Sequence, residues 1–349
     1  MSHEQDSFVQ TLRSAGQQNP PFQNIIDGYL RYYAGDSGHT ARAKRLDLEK
    51  YLQFLQRFRA VSKSEKLRLS DWDTSSIRRF VEDLLERGEA PATVARRLAT
   101  LKHMGRSFAE NIPGFINPAK EVRAPKLPIE KPRALSADER EDIRQRARER
   151  LHERTTFIRY RNHVLFEMML DTGLRAEEVR GLRLSQIDDD NEWIKNVRTK
   201  GKRYRNVYIT SNVRDLFLSY LDRRSKELQR FYSPLSKLED RKLPVFISTY
   251  AASSNDPESF LMGPKSVWRA IRELSAETDL HPHVLRHTFA LDLLESSHDV
   301  RLVAQALGHS DVRTTMRYTE RSSEHLAEAL EVTRRSERKA HKLSHPEQE

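Results

Sequence analysis

Six side chains of this sequence have types and spacings that suit work on a phosphate group. They are Arg175, Lys200, His283, Arg286, His309 and Tyr318. From residue 281 onward, apolar residues recur at helical spacing, and Gly308 stands where a left-handed residue commonly ends a helix. This pattern of helix, turn, helix and turn would hold the two histidines, Arg286 and Tyr318 at fixed points. We therefore interpret the six residues as parts of one phosphate-handling site.

The residue types match what breaking a phosphodiester without a metal requires. Arginine neutralises the nonbridging oxygens with a planar, permanently charged fork. Lysine or histidine can protonate the leaving oxygen. A tyrosine nucleophile has an ordinary pKa of about 10, so clustered cations must help it to lose its proton. Attack by tyrosine exchanges one phosphodiester for another and retains the bond energy, so this chemistry needs neither ATP nor another cofactor.

Each of the six residues also has an ordinary explanation when it is taken alone. An arginine after a turn or a lysine at a hairpin tip is usually exposed to solvent, and a tyrosine is often part of a core. A histidine beside a proline or after a glycine is compatible with a helix end. The histidines His281, His283, His287 and His309 also raise the alternative of a zinc site. The chain has no cysteine and no HExxH motif, so the sequence does not favour zinc.

Length and composition limit the classes of protein to which this chain could belong. The 349 residues predict two domains. The formal charge of +10 favours a polyanionic partner such as DNA, although charge that only keeps a protein soluble would give the same balance. The absence of cysteine excludes thiol catalysis and disulfides and fits a cytoplasmic protein. We recognise no signal peptide, and no apolar run reaches the ~18 residues of a membrane span.

The order of helical, strand-like and irregular stretches predicts a mainly α protein with two folded domains. The predicted segments are a flexible N-terminus at 1–20, a helical domain at 21–112, a proline-rich linker at 113–136, a second domain at 137–333 and a charged tail at 334–349. Alternation between residues 184 and 209 predicts a small antiparallel sheet in the second domain. The predicted strands are 184–187, 193–197 and 207–209, and a short apolar strand at 245–247 is a further candidate.

Local signals predict where several helices begin. In the first domain, Thr40 is predicted to cap the second helix, Asp73 or Thr74 to start the third and Pro91 to open the fourth. At the start of the second domain, Ser136 and Glu139 have the spacing of a capping box.

Basic side chains form the predicted outer face of the fourth helix. They are Arg96, Arg97, Lys102, His103 and Arg106. A basic helix face is often merely solvated, but in a basic protein contact with phosphate explains it at least as well. We predict that the arginines and Lys102 of this face bind DNA, together with Lys202 and Arg205 of the hairpin.

Taken together, these residues and their order resemble the tyrosine recombinase (phage integrase) family, especially its Xer-like site-specific recombinases. The motifs that carry the resemblance are TGLRAEEV at 172–179, GLR at 181–183, KGKRYR at 200–205, HVLRHTF at 283–289, LGH at 307–309 and TMRY at 315–318. The resemblance covers about residues 21–333, and all six catalytic positions are filled.

The resemblance implies how the phosphate would be held. Arg175 and Arg286 would bind the nonbridging oxygens of the scissile phosphate. Lys200 would protonate the leaving 5′ oxygen, with Lys202 as a nearby alternative. Glu178 matches an acidic position that supports the site in the family.

The resemblance also implies how the nucleophile would act. His283 would assist proton transfer at the tyrosine, and His309 would hydrogen-bond the phosphate. Tyr318 would form a 3′-phosphotyrosyl link. No metal takes part in this scheme.

The family fold is a C-shaped DNA clamp, with a helical core-binding domain, a linker and a mostly helical catalytic domain that contains a small antiparallel sheet. The resemblance implies a homotetramer on two double-stranded DNA sites, or a heterotetramer with a paralogue, that exchanges strands through a Holliday junction. A C-terminal helix at 324–332 would dock in trans on the neighbouring subunit, although it could instead pack on its own domain. An activating protein partner is compatible with this scheme, and the expected place of action is DNA in the cytoplasm.

Some features depart from the family pattern. Glu177 stands where many relatives have serine, and Leu291 and Asp292 replace a usual polar pair. The segment 222–262 is longer than in compact relatives and could contact DNA or a partner, or be a tolerated loop. Only about 20 residues precede the first predicted helix, which favours an Xer-like enzyme over an integrase with an arm-binding domain.

Three functions are compatible with the sequence. The first is site-specific recombination, either in the resolution of chromosome or plasmid multimers or in the integration and excision of a mobile element. The second is relaxation of DNA by an enzyme similar to type IB topoisomerases, which would need no specific site. The third is DNA binding by a catalytically inactive relative, and the complete set of six residues argues against it.

Overall fold

A computed structural model of the chain describes its helices, its hairpin and most connections. The described residues are 8–10, 13, 19–33, 38–112, 114–127, 133–199, 203–232, 234–275 and 279–308. The chain divides into two compact units, Met1–Ile129 and Glu130–Glu349. The division falls within the segment 113–136.

The first unit contains four described helices. They are α1 (Phe22–Tyr32), α2 (Gly38–Phe58), α3 (Thr74–Glu86) and α4 (Pro91–Asn111), with short 3-10 turns at Ser64–Lys66 and Leu69–Asp71. Apolar residues at helical spacing lie on one face of each helix, and this face packs into the core. Large rings such as Tyr51, Phe80 and Phe108 are completely buried there. The predicted helical domain is therefore present, with an aromatic core.

The predicted helix starts of this unit are partly confirmed. Pro91 is the first residue of α4, and the Asp73 side chain caps α3 by accepting a hydrogen bond from Ser76 N at 2.6 Å. The prediction that Thr40 caps the second helix is wrong, because α2 already begins at Gly38.

The second unit contains eight described helices and one hairpin. The helices are α5 (Ala137–Glu153), α6 (Phe157–Thr172), α7 (Ala176–Arg180), α8 (Ser211–Leu228), α9 (Lys237–Lys242), α10 (Ser266–Arg272), α11 (Pro282–Ser297) and α12 (Val300–Leu307). The strands are β1 (Trp193–Arg198) and β2 (Tyr204–Tyr208), which pair antiparallel. The predicted fold class, mainly α with a small antiparallel sheet, is confirmed.

Helix α6 is the centre of the second unit. It packs against α5, α8, α10 and α11, and its residues from Arg161 to Leu170 are all buried. A helix that is apolar on most of its circumference has to be enclosed on all sides, which explains why four helices surround it. Within the described residues, no helix combines the length and apolar character needed to cross a membrane.

The hairpin contains a bulge that turns two separated side chains inward. Ile194 pairs with Val207 and Val197 pairs with Arg205, and the register shifts between these two pairs. Asn196 adopts a positive φ of 56° within the bulge. Because of the extra residue, Ile194 and Val197 both face the core although they are three positions apart. Arg205 therefore lies opposite a buried position.

The predicted strand at 184–187 is wrong. Residues Leu184–Gln186 form a 3-10 turn, which the Gln186 side chain closes by accepting from Arg183 N at 2.9 Å. The alternation of apolar residues has another cause. Leu184 N donates to Leu243 O at 3.1 Å and Val245 N donates to Leu182 O at 2.8 Å, so the backbone pairs briefly with the segment that follows α9.

The long connection between α8 and α10 is part of the core of the second unit. Val245, Phe246, Ile247 and Phe260 are completely buried. Arg224, 1% exposed, donates to Pro244 O at 3.0 Å and to Asp240 at 2.5 Å. A buried guanidinium needs such acceptors, so this hydrogen bonding fixes the connection to α8.

We expect Ser136→Ala to destabilise the second unit by about 1 kcal/mol, because it removes a helix cap. The Ser136 hydroxyl accepts from Glu139 N at 3.1 Å, and the Glu139 carboxylate accepts from Ser136 N at 2.9 Å, which confirms the predicted capping box. Urea unfolding followed by circular dichroism measures the difference. The control is Ser211→Ala at the start of α8, where no side chain caps the helix. Equal effects of the two substitutions would contradict a stabilising role for the cap.

Candidate active site

The carboxylate of Glu178 lies among three arginines. It accepts from Arg175 N at 3.0 Å and from Arg175 Nη1 at 2.7 Å. Arg205 Nη2 donates to it at 3.1 Å, and Arg286 Nη1 lies 3.9 Å away. The structure therefore brings the two predicted phosphate-binding arginines, Arg175 and Arg286, into one cluster.

A tight turn between α6 and α7 places Arg175 and Glu178. Gly173 ends α6 in the left-handed region, with a φ of 61°. A Cβ atom on Gly173 would lie 2.4 Å from Cδ1 of Phe289, so the turn has room only for glycine. Arg175 then takes the N-cap position of α7, and Glu178 follows in the first turn, where a carboxylate can reach back to the N-cap.

Arg286 links the ends of two helices. It is 5% exposed and donates from Nη1 to Gly173 O at 2.6 Å and from Nη2 to Leu307 O at 2.7 Å. These carbonyls stand at the C-termini of α6 and α12, where the partial charge of a helix is negative. The guanidinium thus fixes both helix ends beside Glu178.

Arg205 does not occupy the surface position expected for a DNA contact. Its side chain is 7% exposed and donates to Glu178 and, from Nη1, to Leu307 O at 2.5 Å. Burial lowers the pKa of Arg205 from its ordinary value, and the adjacent Glu178 carboxylate opposes this shift. The prediction that Arg205 binds DNA is therefore corrected: its donors are directed into the protein.

The remaining predicted residues are placed only in part. His283 is exposed in the first turn of α11, and its ring centroid lies 6.1 Å from that of His281. The last described residue is Gly308, which follows α12. Its φ of 64° is left-handed, as predicted for the residue that ends this helix. The predicted residues Lys200, Lys202, His309 and Tyr318 lie outside the described residues.

The electrostatics of the cluster favour an anion. Three guanidinium groups surround one carboxylate, so positive charge is in excess. The Glu178 and Arg286 side chains are each 5% exposed, whereas Arg175 is 29% exposed. Arg175 is thus the member of the cluster that a ligand can reach from solvent. A phosphate bound there would meet a charge that water screens only weakly.

The basic face of α4 in the first unit divides into paired and unpaired side chains. Arg96 Nη1 lies 2.5 Å from the Asp47 carboxylate, which is 3% exposed. Arg97 pairs with Glu89 and is 16% exposed. These two arginines therefore have acidic partners inside the unit, and much of their charge is already neutralised.

Exposure on this face does not follow the ion pairing, because the paired Arg96 is itself 52% exposed. Arg106 is exposed and Lys102 is half-buried. His103 differs from the expected outward orientation, because its Nδ1 hydrogen-bonds the Tyr29 hydroxyl at 2.9 Å. Burial lowers the pKa of His103, and the nearby charges of Lys44 and Arg106 lower it further.

Sequence reasoning missed the inward position of Arg205, although one signal pointed to it. Val207 and Ile209 are buried, and strand side chains alternate between faces. A residue two positions before Val207 therefore shares its buried face. Arg205 therefore differs from the other basic residues of its motif, because it shares the strand face of Val207.

The sequence matches two known domain families. The Phage integrase family matches residues 133–325, and the N-terminal SAM-like domain of phage integrases matches residues 26–106. These segments correspond to most of the second unit and to the helices of the first.

Curated relatives and a solved structure show the same likeness. The chain is 32% identical over 308 residues to a tyrosine recombinase XerC of Pseudomonas aeruginosa, covering 86% of this chain and 91% of the relative. It is 30% identical to a tyrosine recombinase XerC of Thermodesulfovibrio yellowstonii, covering 90% and 94%. The fold is similar to a post-cleavage crystal structure of the XerH site-specific recombinase bound to palindromic difH substrate, with a TM-score of 0.63, 17% identity and coverage of 94% and 95%.

We expect Glu178→Gln to lower the free energy of unfolding by about 3 kcal/mol, because it leaves a buried guanidinium without its counterion. The matched control is Glu177→Gln, one residue earlier in the same helix. Glu177 is 62% exposed and pairs with Arg180 at 2.9 Å, so its loss should cost less than about 1 kcal/mol. Urea unfolding of both variants tests the difference, and similar values would refute the special role of Glu178.

Proposed function

The chain belongs to the phage integrase family of tyrosine recombinases, and we propose that it cuts and rejoins DNA at specific sites through Tyr318. The proposal rests above all on the cluster in which Arg175 and Arg286 lie beside Glu178. Arg175 is the exposed donor for the nonbridging oxygens of a phosphodiester. Arg286 adds positive charge beside it, while both of its terminal nitrogens donate to backbone carbonyls.

In the proposed reaction, the Tyr318 oxygen attacks the scissile phosphorus and the 5′ oxygen leaves. Lys200 protonates the leaving oxygen, while His283 assists the loss of the tyrosine proton. His309 hydrogen-bonds the phosphate. The product is a 3′-phosphotyrosyl link, and attack by a 5′ hydroxyl of another strand reverses the step. Two such exchanges pass through a Holliday junction.

The proposed substrate is double-stranded DNA with a specific recombination site. The names of the XerC relatives and the difH substrate of the XerH structure support this choice. We propose that four copies, or two copies and two of a paralogue, act on two sites, with segment 324–332 docking in trans on the next subunit. An activating protein partner fits the same scheme.

The proposed task is the resolution of chromosome or plasmid multimers, or the integration and excision of a mobile element. Either task places the protein on DNA in the cytoplasm. Site-specific recombination and simple relaxation differ in their products. A recombinase joins two sites, whereas a topoisomerase-like enzyme relaxes supercoiled plasmid that has no site.

We expect wild-type protein, but not Tyr318→Phe, to become covalently attached to DNA from its own genetic neighbourhood. The reaction is run in EDTA, stopped with SDS and examined for DNA-linked protein. The control is Tyr250→Phe, because Tyr250 is 90% exposed in the same unit and should not affect the adduct. An adduct formed by Tyr318→Phe would identify another nucleophile, and a requirement for divalent metal would refute the proposed chemistry.

We expect DNA affinity to fall steeply with salt, and Arg106→Ala to reduce the slope of log K against log salt by about 1. Arg106 is exposed on α4, so its loss should remove one phosphate contact. The control is Arg79→Ala on α3, because Arg79 is already paired with Glu82 and Glu86 at 3.2 and 3.0 Å. Fluorescence anisotropy over a salt series gives the slopes. An unchanged slope for Arg106→Ala would remove this residue from the predicted DNA-binding face.

A further inference from the structure

Arg205 joins three parts of the second unit that are distant in sequence. From β2, its guanidinium donates to Leu307 O at 2.5 Å, at the end of α12, and to Glu178 in α7 at 3.1 Å. The same Leu307 carbonyl also accepts from Arg286 at 2.7 Å. One carbonyl oxygen, with two lone pairs, is thus satisfied by two guanidinium groups.

The residues beside Arg205 directly precede two of the predicted catalytic residues. Thr199 comes before Lys200, and Gly308 comes before His309. A Cβ atom on Gly308 would lie 2.8 Å from Thr199 Cγ2 and 2.9 Å from Arg205 Nη1. The hairpin and the end of α12 are therefore in contact at the residues that directly precede Lys200 and His309.

The contact depends on the shape of arginine. A guanidinium presents several donors in a rigid plane and can reach a carboxylate and a carbonyl at once. An ammonium group is a single point of charge and cannot span both acceptors in the same way. The Arg205 side chain is 7% exposed, so water cannot easily take the place of a hydrogen bond that the substitution removes. Losing such a bond therefore costs stability.

We propose that Arg205 is a positioning residue, which fixes the end of α12 against the hairpin and thereby sets the spacing of His309 and Lys200 around the phosphate. This inference rests on the proposed function of those two residues. Arg205 touches no reacting atom. It acts through the Leu307 carbonyl and the Glu178 carboxylate.

The test compares Arg205→Lys with Arg214→Lys in the full-length protein. Arg214, near the start of α8, is the control, because it also donates to a carboxylate, Glu192 at 2.7 Å, and to a carbonyl, Ile209 at 3.4 Å. The first readout is hydrogen exchange of peptides covering 300–312 without DNA. We expect faster exchange there in Arg205→Lys and no change in Arg214→Lys. Unchanged exchange in Arg205→Lys would overturn the proposal, whether or not the protein cleaves DNA.

The second readout is the single-turnover rate of adduct formation on a nicked DNA site. We expect Arg205→Lys to slow this step about 10- to 100-fold, since small misplacements of catalytic groups have effects of that size. DNA affinity should be unchanged. In a His309→Asn background, the same substitution should have a smaller effect, because one of the two groups that Arg205 positions is already absent. A purely structural role would instead give equal effects in both backgrounds and would overturn the proposal.

These readouts separate the proposal from the proposed function. An adduct that persists in Tyr318→Phe, run alongside, would refute the nucleophile and leave the exchange result to decide whether Arg205 fixes α12. An adduct that depends on Tyr318 but forms at the same rate in Arg205→Lys would refute only the positioning role.

Discussion

The Glu178 carboxylate, 5% exposed, lies among guanidinium groups that come from a helix N-cap, a strand and a second helix. Three cations so close together repel one another, and two of them are almost completely removed from water. The carboxylate makes the arrangement possible, but it cannot satisfy every donor. Arg205 Nη1 and both terminal nitrogens of Arg286 donate to backbone carbonyls at helix ends, so the buried cations connect two helix ends to the carboxylate.

Both of those helix ends are glycine turns, and each turn connects structure to chemistry. Gly173 and Gly308 have φ values of 61° and 64°, and each is closely approached by a neighbouring side chain. At Gly173 the neighbour is Phe289 of α11, the same helix that carries Arg286. At Gly308 the neighbours belong to the hairpin. At both turns the backbone adopts a left-handed conformation, and a neighbouring side chain leaves no space for a Cβ atom. Glycine is the residue that meets both requirements.

Much of the fold and part of the site could be predicted from the sequence, because the signals are local. The capping box at Ser136, the proline start of α4 and the glycine end of α12 each depend on a few neighbouring residues. The arginines at 175 and 286 followed from motif and spacing. The strand period of two places Arg205 on the buried face, but its partner is a carbonyl 102 residues away, which no local pattern encodes. The strand predicted at 184–187 is wrong for a similar reason. The backbone there makes only an isolated bridge, between Arg183 and Pro244, with a segment that is distant in sequence.

The connection between α8 and α10 has a practical consequence for engineering the chain. Leu182 and Leu184 find their backbone partners in it, and Arg161 donates to Ile247 O at 2.8 Å. Removing the part of this connection that contains residues 243–247 would open the core and leave buried cations without acceptors. Its tip behaves differently, because Tyr250 is 90% exposed and residues up to 255 lie at the surface. A fluorescent label or affinity tag is therefore best inserted at 250–255, where the chain is accessible and the buried strand-like segment is left intact.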